Sequence, residues 1–163
     1  MIVVPKNVQE IYAESSFLRL CVVRPGVTRY WERVSKRESY MLFLRQKSEP
    51  GKPFYLIEIE PSGTIRQKRS FDDLQYGDIK ETSEFLKEWQ KAIQERMTSD
   101  DLKLAKKSKD HRNNEMDELR KNKTIVRTGY LTGKLLADVL DADLMEVEVE
   151  SDSSETKEIA KVG

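Results

Sequence analysis

Three short runs decide the fold of this chain: Ser39-Tyr40-Met41-Leu42-Phe43-Leu44-Arg45, Phe54-Tyr55-Leu56-Ile57-Glu58-Ile59-Glu60 and Thr64-Ile65-Arg66-Gln67-Lys68-Arg69. The first is nearly all apolar over strand length, the pattern of a strand covered on both faces. The second alternates, with Tyr55, Ile57 and Ile59 on one side and Leu56, Glu58 and Glu60 on the other. The third carries polar residues throughout, as edge strands do. Ser48-Glu49-Pro50-Gly51-Lys52-Pro53 and Pro61-Ser62-Gly63, which separate the runs, are dense in turn formers. The reading is a three-stranded antiparallel meander.

Helical spacing lies on either side of it. Asn7, with Glu10 three residues on, opens a helix whose stripe is Val8, Ile11, Tyr12, Ser15 and Leu18. Arg24-Pro25-Gly26 breaks the chain, and Thr28 caps a short helix to about Lys36 with Tyr30, Trp31 and Val34 on its apolar side. After a loop from Phe71 to Asp78, the clearest amphipathic pattern runs from Ile79 to Met97 through Phe85, Leu86, Trp89 and Ile93. That helix is expected to dock on the meander, since each large apolar side chain it buries contributes about 1.5–3 kcal/mol. Thr98 to Asp101 forms a second capping box ahead of Leu102, Leu104 and Ala105. The stretch from Lys106 to Glu115 has no apolar residue and reads as a solvent-facing helix or a break. Thr124–Arg127 is a short strand candidate, and Leu131, Leu135, Leu136, Val139, Leu140 and Leu144 mark a last helix. The fold class is therefore α+β. An α+β core spans 1–97, a helical C-terminal section 98–145, and a disordered, acidic, Ser-rich tail 146–163.

Length and composition fit one modest core: 163 residues, 37% hydrophobic and 36% charged, with a mean hydropathy of −0.69. No apolar run reaches the ~18–20 residues of a membrane span, and Met1–Lys6 lack the basic-then-apolar order of a signal peptide. The single cysteine, Cys21, has no internal disulfide partner. These features point to a protein of the reducing cytoplasm with no membrane insertion.

The 29 basic and 29 acidic residues cancel, but unevenly. Residues 1–70 carry a net +6 and residues 141–163 a net −6. An asymmetry of this kind suits nucleic-acid binding by the basic head, or an acidic tail that folds back and masks it. Arg29, Arg33, Lys36 and Arg37 recur at helical spacing on the second helix. Arg45 ends the first strand, Arg66 and Lys68 are read as sharing a face of the third, and Arg69 ends it. If helix and sheet edge lie side by side, these eight cations form one phosphate-binding surface, to which Tyr30 and Trp31 add stacking unless the core takes them.

Catalytic constellations are thin. Cys21, in Leu20-Cys21-Val22-Val23, reads as an inert buried thiol, and the only histidine, His111, lies 90 residues away. Gly129-Tyr130-Leu131-Thr132-Gly133-Lys134-Leu135 lacks the spacing and hydroxyl of a phosphate loop. Asp138, Asp141 and Asp143 lack the distal Glu of a calcium loop and read as solvated acids. Glu58 and Glu60 share a strand face as nuclease carboxylates do, with Lys68 as the one candidate basic partner.

The run Arg29-Tyr30-Trp31-Glu32-Arg33-Val34, the stretches 38–45, 48–59 and 63–69, and Phe85-Leu86-Lys87-Glu88-Trp89 together resemble the PcfJ-like family, over roughly residues 2–145. Members are encoded on conjugative plasmids and other mobile elements of Gram-positive bacteria, are usually longer, and have no settled reaction; this chain resembles their C-terminal part. The family's Leu-His-His-Cys-Val-Gly motif is here Leu18-Arg19-Leu20-Cys21-Val22-Val23, so both imidazoles are gone. The resemblance implies the fold and a mobile-element setting, and argues against an enzyme and against a cofactor or metal. The expected function is a non-catalytic accessory protein that binds nucleic acid or a nucleic-acid-processing protein. The alternatives are a counter-defence inhibitor of a host nuclease and, third, a residual enzyme.

Overall fold

A four-stranded antiparallel sheet in the order β1-β2-β3-β4 forms the centre of the computed structural model, which describes residues 1–23 and 27–149. The strands are β1 (Ile2–Val3), β2 (Tyr40–Leu44), β3 (Tyr55–Ile59) and β4 (Ile65–Arg69). The meander of β2, β3 and β4 stands as the sequence indicates, but the expected three strands are four. Ile2 pairs with Leu44 and Val3 with Phe43. Two residues are too few to carry any periodicity of their own, so β1 exists only because β2 offers it an edge.

Five α-helices accompany the sheet among the described residues: α1 (Val8–Leu18), α2 (Arg29–Ser35), α3 (Ser83–Gln94), α4 (Ser99–Lys121) and α5 (Leu136–Asp143). Asn7 Oδ1 accepts from the Glu10 amide, which starts α1 as its sequence predicts. The predicted break at 24–26 lies outside the described residues. Helices cover both faces of the sheet. Ile11, Leu18, Leu20, Val22 and Tyr30 pack on Met41, Phe43 and Leu56 on one face. Leu42, Leu44, Tyr55, Ile57, Ile59 and Ile65 pack on Ile79 and Leu86 on the other.

The predicted 79–97 helix is divided. A 3₁₀ turn, Gly77–Thr82, leads into α3. Leu86 is fully buried, but Phe85 is exposed and Gln90 takes a place in the buried stripe. Gln90 sits behind the Pro61-Ser62-Gly63 turn, and its Nε2 donates to the Gly63 carbonyl at 3.0 Å. Gly63 has φ +88, and a Cβ there would lie 3.4 Å from Ile93, so this tight turn against α3 suits glycine.

The 98–121 region is one continuous helix, opened by the Thr98–Asp101 capping box. Its buried residues are Ala105, Ser108 and Arg112. Those are steps of three and four, so a docked stripe exists, but most of it is polar. Thr124–Arg127 forms no strand, only an isolated bridge between Ile125 and Leu135. The last helix is Leu136–Asp143, so Leu131 and Leu135 of the expected stripe precede it and Leu144 follows it. Glu146–Val149, which the sequence assigns to the disordered tail, lie against β4 and α3: Met145 bridges Ile65, the Val147 amide donates to Thr64 Oγ1, and Gln94 Nε2 donates to the Glu148 carbonyl. The rest of the expected tail, 150–163, lies outside the described residues. Among the described residues no helix is long and apolar enough to cross a membrane.

Candidate functional site

Pairing irregularity in β4 sets the geometry of the charged region. Glu58 pairs with Gln67, but the next residue, Ile59, pairs with Ile65, so Arg66 is an extra residue on β4. The bulge turns Arg66 toward the face that carries Glu58 and Glu60. Lys68, opposite Ile57, lies on the other face. The expectation that Arg66 and Lys68 share a face is thereby corrected, and Lys68 is not a basic partner for the Glu58–Glu60 pair.

On the bulged face the sheet buries charge rather than hydrocarbon. Arg33 of α2 donates to Glu58 from Nε at 2.6 Å and from Nη2 at 2.9 Å, a bidentate pair. Ser39 Oγ also donates to Glu58, at 2.7 Å, and Gln67 Nε2 does so at 3.3 Å. Glu60 Oε2 accepts from Arg66 Nε at 3.1 Å and from Arg112 Nε of α4 at 2.7 Å. Arg66 Nη2 reaches Glu38 and both the carbonyl and hydroxyl of Ser108. Arg33, Arg66 and Arg112 are each 6–7% exposed, and Glu58 and Glu60 less than that. Burial works against the charge on Arg33, but Glu58 outweighs it and holds the guanidinium above its ordinary pKa. The three arginines line one cavity of about 440 Å³, with Gln67, Asn113, Met116, Leu140 and Leu144 among its walls.

The eight cations therefore do not gather on one open surface. Arg33 and Arg66 are consumed as described. Arg45 pairs with buried Glu14, its Nε 3.1 Å from Oε1. Arg69 donates to the Asp73 carbonyl at 3.1 Å, and its Nε lies 2.8 Å from Asp143. Lys68 is buried, and desolvation pulls its pKa down. Only Arg29, Lys36 and Arg37 of the eight are classed as exposed. Lys36 and Arg37 form no ion pair among the described residues. Arg29, Lys36 and His111 share a groove of about 300 Å³ with Glu32, Glu38 and Glu115. Tyr30 and Trp31 go to the core: Tyr30 is 4% exposed and Trp31 stacks on Tyr12.

Acids of the C-terminal section supply many of the counter-charges. Asp138 and Asp141 both meet Arg120, Asp143 meets Arg69, and Glu146 meets Arg112 and Lys109. Asp143, expected in solvent, is 2% exposed. Burial pushes its carboxyl up to about 6 although Arg69 opposes this. Its Oδ2 is close to the Arg69 Nε but makes no aligned hydrogen bond.

Cys21 lies 3.6 Å from the hydroxyl of Tyr30, which donates to Gln67 Oε1 at 3.1 Å. Gln67 connects this pair to Glu58. Burial, then the nearby Asp73 carboxylate, raise the Cys21 thiol above its ordinary value and favour its neutral form. The two positions where the PcfJ-like motif carries histidines diverge. Arg19 has φ 55, sits over the Phe71 ring and pairs with Asp72 at the surface, whereas Leu20 is buried in the core. Sequence reasoning missed Arg112 and Ser108, because their stretch of α4 has no apolar residue to mark a docked face. The usable signal was Glu60, a carboxylate on the same side of its run as apolar Leu56, which requires a partner once that side is covered and finds it in Arg112.

The model of the PcfJ-like protein family matches residues 1–75. This region holds β1 to β4, α1, α2 and the Arg33–Glu58 pair; the match does not extend over the 2–145 span that the quoted runs suggest. No curated protein and no solved structure matches the chain.

Proposed function

We propose that this protein is a non-catalytic accessory of a mobile genetic element that binds nucleic acid, or a protein that processes it, through the cations left open around the turn between α2 and β2. The observation that carries this reading is the exposure of Lys36 and Arg37 with no ion pair among the described residues, at a groove where Arg29 and His111 stand with Glu32, Glu38 and Glu115. The PcfJ-like match over residues 1–75 favours the mobile-element setting. The raised Cys21 thiol favours binding over thiol chemistry. Since Arg33, Arg45, Arg66 and Arg69 are occupied internally, the contact is small. With about three phosphates neutralised, the logarithm of affinity falls with the logarithm of salt with a slope of roughly −3. The test is retention on a phosphate-bearing matrix at low salt. Lys36→Glu with Arg37→Glu abolishes retention while leaving the thermal unfolding curve in place. A wild-type chain that passes straight through ends the proposal.

A further inference from the structure

We propose that the outer edge of β4 is a docking surface for an extended acidic segment of a partner protein, and that residues 143–149 of this chain occupy it as a resident stand-in. The inference concerns a different surface from the α2–β2 turn and goes beyond the reading above.

Met145-Glu146-Val147-Glu148-Val149 alternates apolar and acidic residues, which is the pattern of a strand with one face on a core and the other on cations. The segment nevertheless forms a single bridge, with Ile65 N donating to the Met145 carbonyl at 3.0 Å and Met145 N donating to the Ile65 carbonyl at 2.9 Å. Further along the edge, the Asp143 carboxylate lies against Arg69, 2.8 Å from Nε, and no second strand pair forms among the described residues. The edge is thus blocked rather than extended. The remaining contacts are those a peptide-binding edge provides. Gln90 and Gln94 of α3 donate to the Met145 and Glu148 carbonyls at 2.9 and 3.0 Å, Thr64 Oγ1 accepts from the Val147 amide at 3.0 Å, and Met145 packs on the apolar face. Glu146 gives the charge selection, 3.3 Å from Arg112 Nη2 and 3.2 Å from Lys109 Nζ. Arg112 is fixed by buried Glu60, so its fork is aimed at this carboxylate before any segment arrives. A partner strand with an acid in the place of Glu146, able to pair along more of Ile65–Arg69, makes every contact the resident makes and adds ladder bonds that it lacks.

The probe is a labelled peptide of residues 142–149, added to the full chain carrying Met145→Pro, which removes the amide that holds the resident segment to Ile65. Anisotropy shows saturable binding to this variant and weaker binding to the wild-type chain. The same peptide with glutamine in place of Glu146 binds about tenfold more weakly, the loss of one charge-assisted hydrogen bond. A folded Met145→Pro chain that does not take the peptide, or takes the glutamine form equally well, overturns the proposal. If that variant does not fold, hydrogen exchange of the wild-type chain decides. The Ile65 amide exchanges through local opening, faster than Ile57 and unaffected by low denaturant. Its exchange only by global unfolding overturns the proposal.

Discussion

The two faces of one sheet are held by different physics. Toward α3, the sheet packs Leu42, Leu44, Tyr55, Ile57 and Ile59 on Ile79 and Leu86, with buried Lys68 and Gln90 beside them, and the Tyr55 hydroxyl donates to Asp78 at 2.8 Å. The opposite face is apolar only beneath α1 and α2; where α4 approaches, Glu58 and Glu60 bind Arg33, Arg66 and Arg112. Area removed from water stabilises the first face and tolerates small changes in shape. The second depends on exact partnership, because a buried charge without its counter-charge costs more than the pair returns. A chain with 36% charged residues can therefore spend cations inside the fold that composition alone would assign to a surface.

The largest effect expected of a single change is on the polar face. Glu60→Ala removes the buried carboxylate that two guanidiniums share, leaving Arg66 to Glu38 and Arg112 to Glu146, and lowers stability by about 3–5 kcal/mol, read from the shift of the urea midpoint. Leu86→Ala, at the centre of the apolar face, costs about 2–5 kcal/mol by the same measurement. A Glu60→Ala cost well below that of Leu86→Ala breaks the comparison.

Asp143 sharpens it with pH. Its folded pKa is raised, from 3.8 to about 6, so its contribution is fully present below the unfolded value and is lost as pH rises through about 6. Arg69 and Lys68 face it and Gln75 donates to its other oxygen, so removing the carboxyl also removes these contacts. Between about pH 4 and 6, wild type loses up to about 3 kcal/mol relative to Asp143→Asn. A constant difference between the two chains over that range refutes the buried-carboxyl account. The smallest net effect is expected of the paired replacement Arg33→Met with Glu58→Leu, which exchanges an ion pair for hydrocarbon. Its cost falls below that of Glu58→Ala alone, because no charge is left behind. If instead the two effects add, the pair is not the unit that holds this face.

Much of the fold was legible. The meander, the Asn7 and Thr98 caps and the docking of α3 follow from alternation, capping chemistry and a stripe that includes Leu86 and Trp89. The charged site was legible only in part. Arg33 and Arg66 stand out as cations, and Glu58 and Glu60 as carboxylates, but a linear reading treats the two sets separately. Arg66 and Lys68 are two apart and are read as sharing a face until the bulge places them on opposite ones. Asp143 reads as solvated acid because nothing local shows that Arg69 and Gln75 close over it.

By itself the sequence determined the three strands of the meander and the helical regions around them, since periodicity and turn chemistry act over a few residues; β1, which needs the edge of β2, it did not determine. It also determined the electrostatic asymmetry between the first seventy residues and the last twenty-three. Only the tertiary structure decided where that charge is used: between β3, β4, α2 and α4, and between the C-terminal acids and the body. Ion pairing depends on distance in space, and Glu60 meets Arg112 across 52 residues of chain.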